Sequence, residues 1–372
     1  MTLHDMIPDL VCPSTTESLQ LIQSAELANT EYVPIERTGK DADPFGITKS
    51  LLVTADRSRV YPVVDGFPVL MAPEVNVKRD DLHNYDSVDL NDPRYAEAYE
   101  EMTVYNKICE CMVKDASAGV KDTGIMGPMA ALTPETDHDV TSFPRPETLW
   151  IDAKHDSIGQ LEAYDYLAPL KDQVFLQLGG SGSHAVKALV AGAKKVYLLT
   201  PMIGEAKVAM YLAKQYGVES GLGCVIAVGE ELPFAAESID LVYSGGCFHH
   251  MRLNYTAKEL HRILKKGGRF SGVDPWKTPL HTIGTNIIGK REKSVFCKPI
   301  TAERLQPMID QFTDFKVTRH GPFLRYMFLA LEKLGIQLSV KSMLKIARLD
   351  DSIGKFTKLE RYGGSIMLAG TK

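Results

Sequence analysis

The chain contains few cysteines, no long apolar run and no excess of basic residues. Its six cysteines among 372 residues are sparse and show no disulfide-like framework, so we expect a cytoplasmic protein. The formal net charge of −5, without a basic cluster, predicts no nucleic-acid partner. No stretch approaches the roughly 20 apolar residues of a membrane span, and no basic segment precedes an apolar run at the N-terminus. We therefore expect no membrane partner and no signal peptide.

The length predicts several structural units, because 372 residues exceed one ordinary core. Alternating apolar residues over 51–72 predict a hairpin in a small β-rich unit, with Asp65-Gly66 as a tight turn. Helical spacing predicts helices over 92–113 and 154–168, on either side of a Gly- and Pro-rich loop or lid at 115–146. We expect the unit boundaries at 1–75, 76–170 and 171–372.

The third unit alternates strands with helices. We expect strands at 174–180, 195–200, 224–229, 238–246, 269–275, 315–320 and 363–370, and helices at 184–193, 205–217 and 256–268. This order predicts a doubly wound parallel α/β sheet. Such sheets bind ligands beyond the carboxyl ends of their strands, near the point where the strand order reverses. The site is therefore expected at 177–183, 200–205, 229–231, 244–250 and 274–276.

Three motifs in this unit carry a family resemblance. The turn LQLGGSGS (176–183) joins a strand to a helix, and its glycines let the backbone approach a ligand closely. Together with GEELPFAAESIDLVYSGGCFHHM (229–251) and ELHRILKKGGRF (259–270), it resembles class I S-adenosylmethionine (SAM)-dependent methyltransferases of the small-molecule type. The resemblance implies a Rossmann-like fold, SAM as the cofactor and methyl transfer to a small organic acceptor in specialised metabolism. It also implies that an insertion at 276–362 forms the acceptor pocket.

The cofactor segments depart from the family's pattern at four positions. Where the family has an acid before the glycines, a second glycine, a ribose-binding acid and an adenine-binding acid, this chain has Gln177, Ser181, Thr200 and Val228. We expect Glu205 to replace the ribose acid, because it opens the next helix and its side chain can reach back to the sheet. Either Glu230 or Glu231 would serve the adenine side. The expected cofactor-binding residues are Gln177, Gly179, Gly180, Ser181, Gly182, Thr200, Glu205, Glu230, Glu231 and Ser244.

The N-terminal unit carries a second resemblance. LVCPSTTESL (10–19) with YPVVDGFPVLMAPE (61–74) resembles zinc-ribbon proteins that include activator subunits of tRNA and protein methyltransferases. Only Cys12 remains of the metal ligands, since Thr15, Thr54 and Ser58 stand where the others would fall. One thiolate cannot form a tetrahedral zinc site, so we expect a metal-free unit.

On the acceptor side, His249 and His250 follow the fourth strand. Either imidazole is suited to act as a general base near neutral pH, or to bond the loop backbone. Asp274 would orient or deprotonate an acceptor, or cap a turn. A metal cluster of these histidines with nearby cysteines is the weaker interpretation, and we expect no metal. The expected substrate-binding residues are Tyr105, Trp276, His281 and Arg291, with helix packing, cover of the sheet end or a solvated loop as their alternatives.

The sequence also fits other functions. The departures at the cofactor site also fit a non-methylating descendant of the fold with a different reaction or ligand. The N-terminal resemblance also fits a scaffold or regulatory subunit. The apolar segment 323–335 predicts a lid or a homodimer face, since it lacks the basic face that docking on a membrane surface requires.

Overall fold

A computed structural model describes residues 1–23, 50–71, 108–119, 157–279, 299–336 and 338–372. The predictions for residues 92–107 and 120–146, and for Tyr105, His281 and Arg291, lie outside the described residues. Among the described residues, no helix is both long enough and apolar enough to cross a membrane.

The N-terminal unit is a small antiparallel sheet preceded by one helical turn, as the alternating pattern predicts. Its strands follow one another in chain order across the sheet. The elements are α1 (Leu3–Met6), β1 (Gln20–Gln23), β2 (Ser50–Val53), β3 (Val60–Val64) and β4 (Phe67–Pro68). Asp65 and Gly66 join β3 to β4 with positive φ angles of 52° and 86°, the conformation of a tight hairpin turn.

A hydrogen-bonded turn occupies the place where the zinc-ribbon resemblance would put a second cysteine pair. The Asp56 carboxylate accepts hydrogen bonds from the Thr54 hydroxyl at 2.7 Å and from the Ser58 backbone N–H and hydroxyl at 3.0 and 2.9 Å. These bonds lower the pKa of Asp56 to about 2. The hydroxyl side chains therefore close this turn through a carboxylate.

The C-terminal unit contains a seven-stranded sheet, and the predicted doubly wound α/β fold is confirmed. The strands lie in the order β10-β11-β9-β8-β5-β6-β7, and β11 runs antiparallel to both of its neighbours. Their bounds are β5 (Val174–Leu178), β6 (Lys195–Thr200), β7 (Leu222–Ile226), β8 (Ile239–Gly245), β9 (Leu264–Pro275), β10 (Thr313–His320) and β11 (Ser365–Thr371). All seven predicted strands are present, and the order reverses between β5 and β8.

Helices cover both faces of this sheet. They are α2 (108–117), α3 (Ser157–Leu167), α4 (Ser183–Val190), α5 (Ile203–Gln215), α6 (Leu253–Ile263), α7 (Ala302–Gln311), α8 (Leu324–Lys333) and α9 (Val340–Thr357). Several predicted boundaries differ from the observed ones by three residues or more, and two of these have a clear structural origin. The loop predicted from 115 begins later, because α2 continues through 117. The helix predicted over 256–268 ends at Ile263, because Leu264 turns extended and pairs with Ile239 of β8.

The N-terminal unit packs on the outer edge of the large sheet. Leu70 N–H donates to the Ile226 carbonyl of the edge strand β7 at 2.8 Å, and Val11 N–H donates to the Pro233 carbonyl at 3.0 Å. The Asp9 carboxylate accepts from Lys195 Nζ at 2.7 Å and from the Tyr197 hydroxyl at 2.5 Å. One continuous hydrophobic core joins the two units, and the N-terminal unit covers an edge that would otherwise expose unpaired backbone.

A buried ionic cluster connects three elements near β10, the other edge strand of the large sheet. His320 ends β10, and its Nδ1 lies 2.6 Å from Asp351 of α9 while its Nε2 lies 3.2 Å from Glu162 of α3. Burial lowers the pKa of His320, but the hydrogen bonds and charges of Asp351 and Glu162 outweigh it and raise the pKa to about 9. His320 is therefore charged at neutral pH and links three elements.

We predict that this cluster makes the free energy of unfolding decrease as the pH rises into the alkaline range. The folded-state pKa of about 9 lies above the ordinary 6.5, so the stabilisation is complete below pH 6.5 and is lost as the pH rises past 9. The free energy of unfolding should fall by roughly 3 kcal/mol across this interval because of His320. Urea denaturation at several pH values measures it. His320→Gln should be less stable at pH 6.5 and should lose this alkaline decline, whereas the exposed control His4→Gln should keep it. A decline of equal size in His320→Gln would contradict the assignment.

Candidate active site

The glycine turn after β5 lies where the strand order reverses, at the carboxyl ends of the parallel strands. Gly179, Gly180 and Gly182 all have positive φ angles, of 76°, 77° and 83°, which side chains rarely adopt. A Cβ at Gly182 would lie 2.3 Å from the Ala209 Cβ, so this glycine lets α4 approach α5. Gly180 and Ser181 are half-buried, and Gly179 and Gly182 on either side of them are buried. The turn therefore places partly accessible backbone next to the N-terminus of α4, an arrangement suited to a ligand.

The side chain of Gln177 holds this turn in place through two hydrogen bonds. Its Nε2 donates to the Gly179 carbonyl at 2.7 Å, and its Oε1 accepts from Ala185 N–H at 2.6 Å. A carboxylate at this position has no proton to donate to the Gly179 carbonyl. The amide in place of the family's acid thus joins the turn to the first turn of α4.

Thr200 and Glu205 form a second part of the site, beside the glycine turn. Thr200 ends β6 and is fully buried, and its hydroxyl donates to the Glu205 carboxylate in the first turn of α5. The same hydroxyl oxygen accepts from Met202 N–H at 3.2 Å. A carboxylate thus lies at the end of β6, as expected, although it comes from five residues further along the chain.

Helix α2 lies near this carboxylate, which the sequence did not indicate. Burial raises the pKa of the Cys109 thiol to about 12, and the negative charges of Glu205 and Glu110 add to the shift. Lys207 of α5 binds Glu110 at 2.8 Å and Asp65 of the N-terminal hairpin at 2.9 Å. Lys207 therefore fastens α2 and the N-terminal unit to the helix that carries Glu205.

The two glutamates expected on the adenine side differ in their surroundings. Glu230 is buried, and its carboxylate accepts from Arg252 N–H at 2.7 Å, at the start of α6. That contact fits the helix dipole, which favours a negative charge at a helix N-terminus. Glu231 is half-buried, and its N–H donates to the Val228 carbonyl at 3.3 Å. The carboxylate of Glu230 thus supports α6, and Glu231 is the more accessible of the two.

The strand β8 brings two further side chains to this edge. Ser244 is fully buried, and its hydroxyl has no hydrogen-bond partner among the described residues. Cys247 lies against the glycine turn, since a Cβ at Gly179 would be 2.5 Å from its Sγ. Among the described residues, no group of three His, Cys, Asp or Glu side chains could hold a metal ion.

His249, in the helical turn after β8, and Asp274, near the end of the neighbouring parallel strand β9, form a buried pair. Asp274 Oδ1 accepts from the His249 backbone N–H at 2.9 Å and lies 2.9 Å from His249 Nδ1. Its second oxygen, Oδ2, is buried without a hydrogen-bond partner among the described residues. A carboxylate on Nδ1 assigns the proton to that nitrogen and leaves Nε2 as a proton acceptor. This is the arrangement of a general base and its orienting group.

The surrounding loop is held in place by neighbouring side chains. The His250 ring lies over the His249 ring, with centroids 3.9 Å apart. Arg304 of α7 donates to the carbonyls of His249 at 2.9 Å and Met251 at 3.1 Å. The sequence did not single out Arg304, because it lies far along the chain in an ordinary amphipathic helix.

Aromatic side chains line the neighbouring part of the sheet end. Trp276 follows β9, is nearly buried, and carries the Arg319 guanidinium 4.7 Å above its ring. His184 of α4 binds the Tyr164 hydroxyl through Nδ1 at 2.5 Å, and its ring lies 4.5 Å from that of Tyr243. His184 was not predicted, although its position in the first turn after the glycines is a usable signal.

Comparison with known proteins matches the segment that carries these residues. Residues 176–272 match the family model described as a methyltransferase domain. Over 97 residues the chain is 33% identical to the malonyl-[acyl-carrier protein] O-methyltransferase of Methylococcus capsulatus, covering 26% of this chain and 35% of that protein. Over 107 residues it is 36% identical to the tRNA U34 carboxymethyltransferase of Cellvibrio japonicus, covering 28% and 33%. The chain thus spans about a third of the length of the curated relatives it matches.

Among solved structures, the chain is similar to the geranyl diphosphate C-methyltransferase of Streptomyces coelicolor A3(2). The TM-score is 0.48 at 15% identity, covering 75% of this chain and 99% of that one. The methyltransferase-domain match agrees with the resemblance inferred from the three sequence motifs and with SAM as the cofactor. The segment 176–272, which runs from β5 into β9, is therefore similar in sequence to a methyltransferase domain.

Proposed function

We propose that this protein transfers a methyl group from SAM to a small organic acceptor. The observation that carries the proposal is the content of the matched segment 176–272. It includes the glycine turn, the Thr200–Glu205 pair and His249, and Asp274 follows it by two residues. When bound, SAM supplies an electrophilic methyl group on a positively charged sulfur.

The residues at the sheet end fit this cofactor. The glycine turn at 179–182 precedes the N-terminus of α4, and the absence of a side chain at Gly180 lets a ligand approach the backbone there. Glu205 presents a carboxylate suited to two adjacent ribose hydroxyls, and the hydroxyl of Thr200 orients it. Glu231 is the glutamate better suited to the adenine side, since the Glu230 carboxylate already accepts from the start of α6.

The His249–Asp274 pair supports proton removal from the acceptor. Asp274 fixes His249 through Nδ1, so Nε2 is the ring nitrogen that would accept a proton from an acceptor hydroxyl or carbon acid. Asp274 then stabilises the imidazolium that forms, and the base increases the nucleophilicity of the attacking atom. Positioning of the two reactants supplies the rest, because displacement at a methyl group depends on alignment. We assign His250 a supporting role, since it stacks on His249.

A second candidate is transfer of a group other than methyl. It is favoured by the altered cofactor positions Gln177 and Thr200, and one relative is named a carboxymethyltransferase. The relatives named also differ in acceptor, an acyl-carrier-protein-linked malonyl group in one and a tRNA in the other. Mass analysis of the products distinguishes the two candidates: the first requires an acceptor that gains one methyl group with SAM as the donor, and the second requires a different mass gain from a donor that carries another group on its sulfur. The zinc-ribbon origin of the N-terminal unit, the three-unit division and a homodimer stay proposals as well.

The first prediction concerns the glycine turn. Gly180→Val should abolish SAM binding while the protein stays folded, because a Cβ there meets only Gln177 Nε2, at 3.3 Å, although the positive φ is strained. Gly182→Val is the matched comparison and should destabilise the fold, since its Cβ would collide with Ala209. Calorimetric titration and thermal unfolding measure the two effects. Normal SAM binding by Gly180→Val would contradict the placement of the cofactor on this turn.

The second prediction concerns Glu205. Glu205→Gln should weaken SAM binding by about 10- to 150-fold, the range for a charge-assisted hydrogen bond of roughly 1.5–3 kcal/mol. The melting temperature of the unliganded protein should barely change. Glu110→Gln is the control, because Glu110 binds the same helix through Lys207 but lies outside the proposed site. If Glu205→Gln loses stability yet binds SAM normally, the residue is structural.

The third prediction separates the two adjacent histidines. His249→Gln should lower methyl transfer by roughly a hundredfold or more, the usual contribution of a general base, with SAM binding unchanged. His250→Gln should have a much smaller effect. Incorporation of labelled methyl groups from SAM into the small molecules of a cell extract provides the measurement. Equal losses in both variants would argue against His249 as the base.

A further inference from the structure

Exposed apolar side chains concentrate in one part of the molecule. Eleven large apolar side chains are exposed among the described residues, and seven of them lie between 323 and 356. They are Phe323, Met327, Leu334, Ile336, Leu349, Ile353 and Phe356. This region lies outside the segment that matches a methyltransferase domain. Exposed apolar side chains gathered in this way mark an interaction surface more often than scattered ones do.

Helix α9 presents the clearest such face. Leu349, Ile353 and Phe356 are 56%, 40% and 91% exposed, and their spacing of four and three residues puts them on one side of the helix. The half-buried Ile346 continues the stripe by one turn. The side chains therefore form a continuous apolar stripe along the helix, and Phe356 projects almost completely from the surface.

The opposite side of α9 attaches the helix to the domain. Leu344 packs against Leu161 of α3, and a Cβ at Gly354 would lie 2.8 Å from Pro322. Asp351 binds His320 at 2.6 Å, and Asp350 accepts from Leu324 N–H at 2.8 Å. The two acids of α9 are thus buried and used internally, so the exposed side of the helix carries no carboxylate.

The charges that remain exposed on α9 are basic. Lys345, Arg348 and Lys355 lie along one flank of the apolar stripe, and Lys358 caps the helix. Beyond the helix, Glu360 and Arg361 offset each other. A local positive row on a chain of net charge −5 predicts an anionic partner. A second copy would offer no acidic side chain from its own α9.

We propose that α9 docks this protein on an anionic lipid surface. An apolar stripe with Leu, Ile and Phe, flanked by Lys and Arg, is the pattern of helices that lie in the membrane interface. The stripe would enter the acyl boundary, and the basic row would lie at the anionic headgroups. The expectation of no membrane partner rested on the absence of a span and on the lack of a basic face at 323–335. Helix α9, which lies outside 323–335, carries such a basic face. The proposed association is with the membrane surface only and needs no membrane-spanning helix.

Sedimentation of the full chain with lipid vesicles tests the proposal. The protein should bind vesicles of phosphatidylcholine with phosphatidylglycerol at low salt, bind weakly to pure phosphatidylcholine, and dissociate as salt is raised. Each basic side chain near an anionic surface strengthens binding about fivefold, so Lys345→Glu with Arg348→Glu should lower it at least about 25-fold. Leu349→Ser with Phe356→Ser should lower it about tenfold or more.

Matched controls use exposed residues elsewhere on the surface. Ile309→Ser on α7, and Lys258→Glu with Lys266→Glu, should bind like the unmodified protein. Circular dichroism and thermal unfolding establish that each variant is folded. The proposal is overturned if the unmodified protein does not bind anionic vesicles, or if both α9 variants bind them as well as the controls do. If the protein does not bind vesicles but self-associates, and the Phe356 variant abolishes that self-association, the face binds a second copy of the chain. If the protein shows neither vesicle binding nor self-association, the lipid assignment is overturned and an acidic protein is the partner that fits the basic row.

Discussion

The reversal of strand order at β5 is the constraint on which the site depends. Since β6 and β8 flank β5 on opposite sides, their connecting helices leave in opposite directions and a crevice opens at the carboxyl ends. The glycine turn lies in that crevice, Thr200 and Glu205 lie on one side of it, and the loop after β8 lies on the other. Parallel pairing of β8 with β9 then brings His249 to Asp274, 25 residues further along the chain. Every residue assigned to the proposed reaction is positioned by this one topological feature.

The replaced acids change how the site is built more than what it can hold. Gln177 uses a donor and an acceptor to tie the glycine turn to α4, which a carboxylate cannot do. The negative charge expected at the end of β6 comes from Glu205, oriented by Thr200. The proposed ribose-binding carboxylate therefore lies on the following helix, α5, and not at the end of the strand β6. Lys207 couples that helix to α2 and to the N-terminal unit, so parts of the chain outside the matched segment brace the cofactor side.

The sequence predicted the sheet well because its signals are local. Apolar runs, glycine turns and helix spacing lie within a few residues of each other, and all seven strands of the large sheet follow from them. The proximity of Thr200 and Glu205 could also be predicted from the sequence, because a five-residue separation across one turn fixes how far the Glu205 side chain must reach. The end of α6 was misplaced, since the pairing of Leu264 with β8 overrides the helical pattern. The roles of Arg304 and His320 depend on partners distant in the chain, and periodicity contains no information about those contacts.

The proposed function requires that the altered cofactor site still bind SAM. Calorimetric titration of the unmodified protein with SAM, and with its demethylated product, measures this binding. Both ligands should bind saturably at a single shared site, and each should displace the other. If the folded protein binds neither ligand, even at millimolar concentration, the site does not hold SAM and the protein is a descendant of the fold with a different ligand.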